Sequence, residues 1–383
     1  MTQPGFVGRV ALAFLQPRFL LVVFLWTTVL TTLIALPHPR AYTIDSHIYA
    51  NALDLMARGE TAYLMPDPWA TEVSEGNPIY YFPPPTAAII GGSVQFLPGR
   101  EWAWLAFNVL VVLGSYVSLI CAVRSRLLAV GLWARRSIVL GGLLWIVFIP
   151  TVSMLVYGSQ SGLMLLGFVL IAVGIVRSRP IAGGAGLALA VLMKATPGLF
   201  GLPLLIAGQW RLLAWSTAFG ALAVVASLPI VGVSAWLDFA NALITGTDLV
   251  AGQGINYAPV ANLLPFVPSV ALIGLTVLAM VPVGRLDPEK AIQVAILVFL
   301  ALWPVAWGHY AMLALIPLTM CLTDRRTWLL VAVSFLLFNY PLSYNNWAVA
   351  IPLLLVCVLR PDWAGSVQEA ALGRVRSIAG ARG

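Results

Sequence analysis

A handful of short segments in this 383-residue chain carry side chains able to do acid–base or phosphate chemistry. Asp45 stands in Tyr42-Thr-Ile-Asp-Ser-His-Ile-Tyr49, and a carboxylate there could take a proton from an incoming hydroxyl. Lys194, in Met193-Lys-Ala-Thr-Pro197, offers a point charge to a phosphate. His309 closes Trp303-Pro-Val-Ala-Trp-Gly-His309 and could donate a hydrogen bond to the same group. Gln160 lies in Tyr157-Gly-Ser-Gln-Ser-Gly162, and Asn256 and Tyr257 form a polar pair further on. If 45–58 is helical, Asp45 and Tyr49 share a face at i,i+4.

These residues must be positioned by an apolar scaffold. Apolar residues make up 61% of the chain and charged residues 9%, against roughly 45–50% and about a quarter in soluble domains. That leaves too little polar surface for a water-facing globule. It excludes a soluble enzyme, a disordered tail and a nucleic-acid-binding domain, so no nucleic-acid partner is expected. The net charge of +7 rests almost wholly on arginine, since Lys194 and Lys290 are the only lysines. Cys121, Cys321 and Cys357 have no metal-ligand spacing and lie in apolar runs, which predicts buried free thiols near inner helix ends.

Long, non-alternating apolar runs predict an all-α polytopic membrane protein. Twelve candidate spans cover 19–36, 102–122, 137–155, 160–176, 180–193, 197–209, 212–232, 262–283, 291–303, 309–322, 327–339 and 346–359. Several fall short of the roughly 20 residues a full span needs, and so would be tilted, broken or re-entrant. The first is read as an uncleaved helix rather than a signal peptide. With the N-terminus in the cytoplasm, all of the 21 lysines and arginines except Arg40, Arg58, Arg100 and Lys194 fall inside, the expected charge bias of short loops. The proline-led run 83–97 would break this pattern as a span, so it is laid along the outer surface. The expected organisation is one integral membrane domain over 1–383. Its first extracytoplasmic loop is 37–101, folded and rich in aromatics including Tyr81; its second is 233–261; and 360–383 is a cytoplasmic tail.

In this topology Asp45, Gln160, Lys194, Asn256, Tyr257 and His309 all meet at the outer membrane face. An acid, a lysine and a histidine beside lipid suggest chemistry on a lipid phosphate. Each also has a plainer role open to it. Lys194 could snorkel to the interface, His309 could sit in the aromatic belt, and Asp45 could cap a helix. No GxxxxGK[ST] loop, dinucleotide-binding glycine motif, HExxH, Cys/His cluster or DxD pair occurs. The absence of DxD predicts a reaction with no metal and no cofactor. The spans have no acidic residue near their centres, which weighs against an ion-coupled transporter.

In Asp45-Ser-His-Ile-Tyr49, Gly59-Glu-Thr-Ala-Tyr63, Tyr80-Tyr-Phe-Pro-Pro84, Gly158-Ser-Gln160, Lys194-Ala-Thr-Pro197 and Trp303–His309, the chain resembles glycosyltransferase family 87, a GT-C class found in mycobacteria and their relatives. Within that family it is most similar to the α-1,2-mannosyltransferases acting on phosphatidylinositol mannosides. The resemblance implies a GT-C fold, a polyprenyl-phosphate mannose donor, a phosphatidylinositol mannoside acceptor and inversion at the anomeric carbon. It implies Asp45 as catalytic base and Lys194 and His309 near the donor phosphate. Tyr49, Tyr81, Gln160, Asn256, Tyr257 and Trp307 are the candidate substrate-binding residues. One departure stands out: the Gly158-Ser-Gln160 segment has a residue more than the family's usual Gly-Gln pair. A polyprenyl-phosphate-arabinose-dependent arabinosyltransferase and a lipid-linked sugar flippase are the competing functions. The plasma membrane is the expected location.

Overall fold

The computed structural model describes residues 44–63, 84–94, 100–245, 258–263, 267–304, 308–339 and 344–380. Among them the regular structure is helical throughout, with no strand. The order begins with α1 (Ile44–Ala57), α2 (Pro85–Ser93), α3 (Arg100–Ala122), α4 (Arg124–Ala129), α5 (Arg135–Val147) and α6 (Ile149–Tyr157). It continues with α7 (Ser161–Val176), α8 (Pro180–Met193), α9 (Gly201–Ile206), α10 (Trp210–Thr245), α11 (Pro259–Leu263) and α12 (Ser269–Val283). The last are α13 (Pro288–Leu302), α14 (Leu315–Cys321), α15 (Trp328–Asn339), α16 (Tyr344–Leu359) and α17 (Pro361–Gly380). Short 3₁₀ turns at Thr196–Phe200 and Gly308–Ala314 lead into α9 and α14.

Local sequence sets the breaks. Pro85, Pro150, Pro180 and Pro288 stand in the first turns of their helices, where a missing N–H costs nothing. Gly158 ends α6 at φ 66°, a left-handed cap that an L side chain would strain. Trp303 leaves α13 in extended geometry, as the residue before Pro304 must.

α7 is apolar on every side and buried along most of its length, so it forms the centre of the bundle, packed by α3 and α8. The α7–α8 crossing is made by glycines. A Cβ on Gly167 would lie 2.6 Å from the Gly186 carbonyl oxygen, and one on Gly174 would lie 2.6 Å from the Gly183 backbone. Such close approach of small-residue faces is how helices associate where no hydrophobic effect separates them from lipid.

Trp102–Ala122 and Trp210–Leu243 are each long and apolar enough to cross a bilayer. Two bent pairs qualify if each counts as one span: α5 with α6, turned by 53°, and Asn346–Leu359 with Pro361–Ala370, turned by 117°. Large apolar side chains on α10 face outward, with Leu222, Val225 and Leu237 more than half exposed. In water such a surface would drive aggregation; in hydrocarbon it is the ordinary exterior.

Several details depart from the sequence reading. The segment 83–97, expected on the membrane surface, holds a helix whose Pro85, Thr86, Ala87, Ala88, Gly91 and Gly92 are buried, because α2 is wedged against α1, α8 and α10. The loop expected at 233–261 starts as helix, since α10 continues to Thr245 past a break at Gly232 (φ 74°). The expected span 262–283 is two helices, α11 and α12. The expected tail 360–383 is mostly the helix α17. Cys321 and Cys357 are buried free thiols as expected, but Cys121 is exposed: it sits on the outer face of α3's last turn. The span 19–36 lies outside the described residues.

Candidate active site

The site is assembled where α3 and α7 begin and α8 ends. The indole Nε1 of Trp104, in the first turns of α3, donates to the Gly158 carbonyl at 2.7 Å. This ties the Gly158-Ser-Gln160 turn to the head of α3. Gln160 then holds two further pieces. Its Nε2 donates to the Ala87 carbonyl of α2 at 2.5 Å, and its backbone N–H points at the Tyr49 hydroxyl of α1 at 3.4 Å. Gly91 leaves the room this needs: any Cβ there would run into the Gln160 amide and the Tyr49 side chain. Thr86 Oγ1 of α2 donates to the Leu192 carbonyl at 2.8 Å, which seats α2 on the last turn of α8, two residues before Lys194.

Asp45 lies in the first turn of α1, one turn before Tyr49 and on the same face. It keeps part of its surface open while protein packs round it on most sides. Burial holds its carboxyl above the ordinary range. The Lys194 charge and a hydrogen bond from the Ser159 side chain pull the other way without cancelling that rise. Ser159 is in turn 2.9 Å, Oγ to Oγ, from Ser161.

Lys194 follows α8 in extended conformation and is 5% exposed. Its Nζ donates to the Tyr310 hydroxyl at 2.8 Å and stands 4.4 Å from the centre of that ring. A lysine this deeply buried is not snorkelling toward water. His309, also 5% exposed, meets Tyr310 edge-on, with ring centres 5.1 Å apart, and lies within the field of Lys194. Tyr310 feels the charge of Asp45 as well. An acid, an ammonium and an imidazole from α1, the α8 end and the Gly308–Ala314 turn are therefore brought within reach of one another's charge. Tyr49 and Gln160, both fully buried, belong to the same cluster, Tyr49 acting electrostatically on Tyr310.

Tyr81, Asn256, Tyr257 and Trp307 lie outside the described residues. Two members of the cluster escape the sequence reading, Ser159 and Tyr310. Each adjoins a residue that was singled out, and neither looks chemical alone; adjacency to Gln160 and His309 was the available signal. Among the described residues no three His, Cys, Asp or Glu side chains gather as a metal site would require.

The sequence profile of glycosyltransferase family 87 matches residues 81–323. The chain belongs to glycosyltransferase family 87. No curated protein matches it. The family 87 segment contains Gln160, Lys194 and His309, while Asp45 lies upstream of it, joined to the rest of the site through α1. Family membership and the apolar helices together indicate a membrane glycosyltransferase, which moves a sugar from a lipid-linked donor to an acceptor.

Proposed function

We propose that this protein is an inverting mannosyltransferase. It takes mannose from polyprenyl-phosphate mannose and adds it by an α-1,2 linkage to a phosphatidylinositol mannoside. The observation that carries the reading is the gathering of Asp45, Lys194 and His309 within reach of one another's charge in one largely buried cluster. The donor and acceptor come from the sequence resemblance to the family's mannosyltransferases.

In this reading the polyprenyl tail lies among the helices and its phosphate rests against Lys194 and His309. Asp45 removes the proton of an acceptor hydroxyl. That oxygen attacks the anomeric carbon from the face opposite the phosphate, and the bond from carbon to phosphate oxygen breaks as the new glycosidic bond forms. The leaving polyprenyl phosphate gathers negative charge, which Lys194 and His309 offset in a site with little water. Gln160 Oε1 is buried with no hydrogen-bond partner among the described residues, which suits it to accept a bond from a sugar hydroxyl. The leaving group is already a stable phosphate and the ammonium supplies the counter-charge, so no metal takes part; loss of transfer in chelator would contradict this. The arginine bias puts the termini in the cytoplasm and the pocket on the extracytoplasmic side of the plasma membrane.

The test is transfer by purified protein in liposomes, supplied with labelled polyprenyl-phosphate mannose or polyprenyl-phosphate arabinose and a phosphatidylinositol mannoside. The reading predicts a mannosylated product with a new α-1,2 linkage. Arabinose transfer would replace the donor assignment. Donor translocation without product would replace the enzyme by a flippase.

A further inference from the structure

The buried ammonium of Lys194 needs something to hold it, and the side chain that does so is rigid. Tyr310 is 3% exposed. Its ring stacks near-parallel on Phe299 at 6.1 Å, and Phe299 in turn packs on Phe200 and Trp303 at 5.6 Å each. His309 closes another side of the ring. The tyrosine is thus packed in an aromatic cluster drawn from α13, the Gly308–Ala314 turn and, through Phe200, the Thr196–Phe200 turn that follows Lys194. Its hydroxyl accepts from Nζ at 2.8 Å, and its ring face lies near enough to attract the same cation. Lysine has a flexible four-carbon stem, and here its free end is held by a side chain that is itself packed on several sides.

We propose that Tyr310 is a positioning residue: its hydroxyl fixes the Lys194 ammonium where the phosphate of a lipid-linked sugar donor must meet it. This rests on the donor-phosphate role given to Lys194 above. Tyr310 touches neither substrate nor reacting atoms and acts through Lys194. It contacts both Lys194 and His309, so the same side chain packs against both groups assigned to the phosphate.

The experiment is a cycle of Tyr310→Phe, Lys194→Ala and the double variant, read by KM and kcat with polyprenyl-phosphate mannose. Phenylalanine keeps the ring and loses the hydroxyl. The expected result is a fall in kcat/KM of roughly ten-fold or more, the scale of one hydrogen bond to a charged group, seen both as a higher donor KM and as a lower kcat because Lys194 meets the phosphate before and as it leaves. The double variant is expected to be no worse than Lys194→Ala alone. Additive losses would overturn the proposal, because Tyr310 would then act independently of Lys194.

A second readout needs no activity. The chain has two lysines, so amine labelling followed by mass spectrometry reports Lys194 directly, with exposed Lys290 as internal control. Tyr310→Phe is expected to move the pH midpoint of Lys194 labelling downward and leave that of Lys290 in place. An unmoved Lys194 midpoint would overturn the proposal. A moved midpoint with donor KM unchanged in Lys194→Ala would keep Tyr310 as the holder of Lys194 while ending the phosphate role. Should Tyr310→Phe fail to fold, 3-fluorotyrosine at 310 keeps the hydroxyl with weaker acceptor strength. It is expected to shift the midpoint the same way by less, and no shift would count against the proposal.

Discussion

At the end of the bundle where α3 and α7 begin, an acid, an ammonium and an imidazole are packed into protein. At the other end, where those helices finish, charge is handled differently. Arg177 donates to the Cys121 carbonyl, and Arg126 forms a two-bond pair with Glu289 at 2.6 and 2.7 Å. Arg325 caps the Val130 carbonyl, and Arg326 pairs with Asp324 and Asp362. Those side chains are partly or wholly exposed. α7 alone separates the two ends by about 24 Å at 1.5 Å per residue. Exposed pairs contribute about 0–1 kcal/mol each, and water could replace every one of them. Burying an ammonium and a carboxylate costs several times more, even when they attract each other. The exposed, arginine-rich end is built at little cost and fits a topology signal. The buried end is costly, and the proposed transfer from a charged lipid would be its reason.

This contrast can be broken in several ways. The largest effect is expected at the buried end. Asp45→Asn removes the base and keeps the shape, so transfer should fall by about 10²–10⁴-fold while donor binding is retained. Full activity in that variant would show that Asp45 is not the base. Next comes the packing between the two ends. Gly174→Leu forces a side chain into the Gly183 backbone, and the fold should lose about 1–3 kcal/mol, seen as a lower thermal midpoint in detergent. An unchanged midpoint would mean that the two helices are not in backbone contact.

A subtler expectation follows from the pocket's electrostatics. Burial raises the Asp45 carboxyl above its ordinary 3.8, so the folded chain binds that proton more tightly than the unfolded chain. Stability contributed by the group therefore falls as pH rises from about that ordinary value through the raised folded one, and stays reduced above it. Asp45→Asn should then melt at the same or a higher temperature than the parent at neutral pH, although it is inactive. The acid limb of the transfer rate should also lie above the usual carboxylate range. A variant that melts lower would argue that Asp45 is a structural acid. The smallest effect belongs to the exposed end: Arg126→Gln should cost no more than about 1 kcal/mol and leave transfer unchanged. A large loss of transfer there would erase the distinction between the ends.

Much of this was legible in the residues. Composition gave helices in lipid. Lys194 and His309 stood out as rare polar groups beside apolar runs and Asp45 by its place soon after the first expected helix, because a polar side chain at a membrane face is costly to keep. The supporting contacts were less legible. Tyr310 and Ser159 look like ordinary interfacial residues until the fold brings Lys194 and Asp45 against them. The run 83–97 suits a surface segment by hydropathy, yet α2 is buried because Gly91 and Gly92 let α1 close on it, and one-dimensional patterning does not encode which neighbour arrives. The helix past Gly232 was missed because Gly232 and the polar residues after it read as a loop, while α1 and α2 provide the surface on which it continues.

The central claim is that one pocket holds both the base and the donor phosphate. A structure of the protein with a non-hydrolysable polyprenyl-phosphate mannose analogue and the acceptor lipid tests it most directly. The account predicts phosphate oxygens within hydrogen-bond distance of Lys194 Nζ and a His309 ring nitrogen, with the acceptor hydroxyl at the Asp45 carboxylate. A phosphate bound elsewhere, or an acceptor hydroxyl turned away from Asp45, would contradict it.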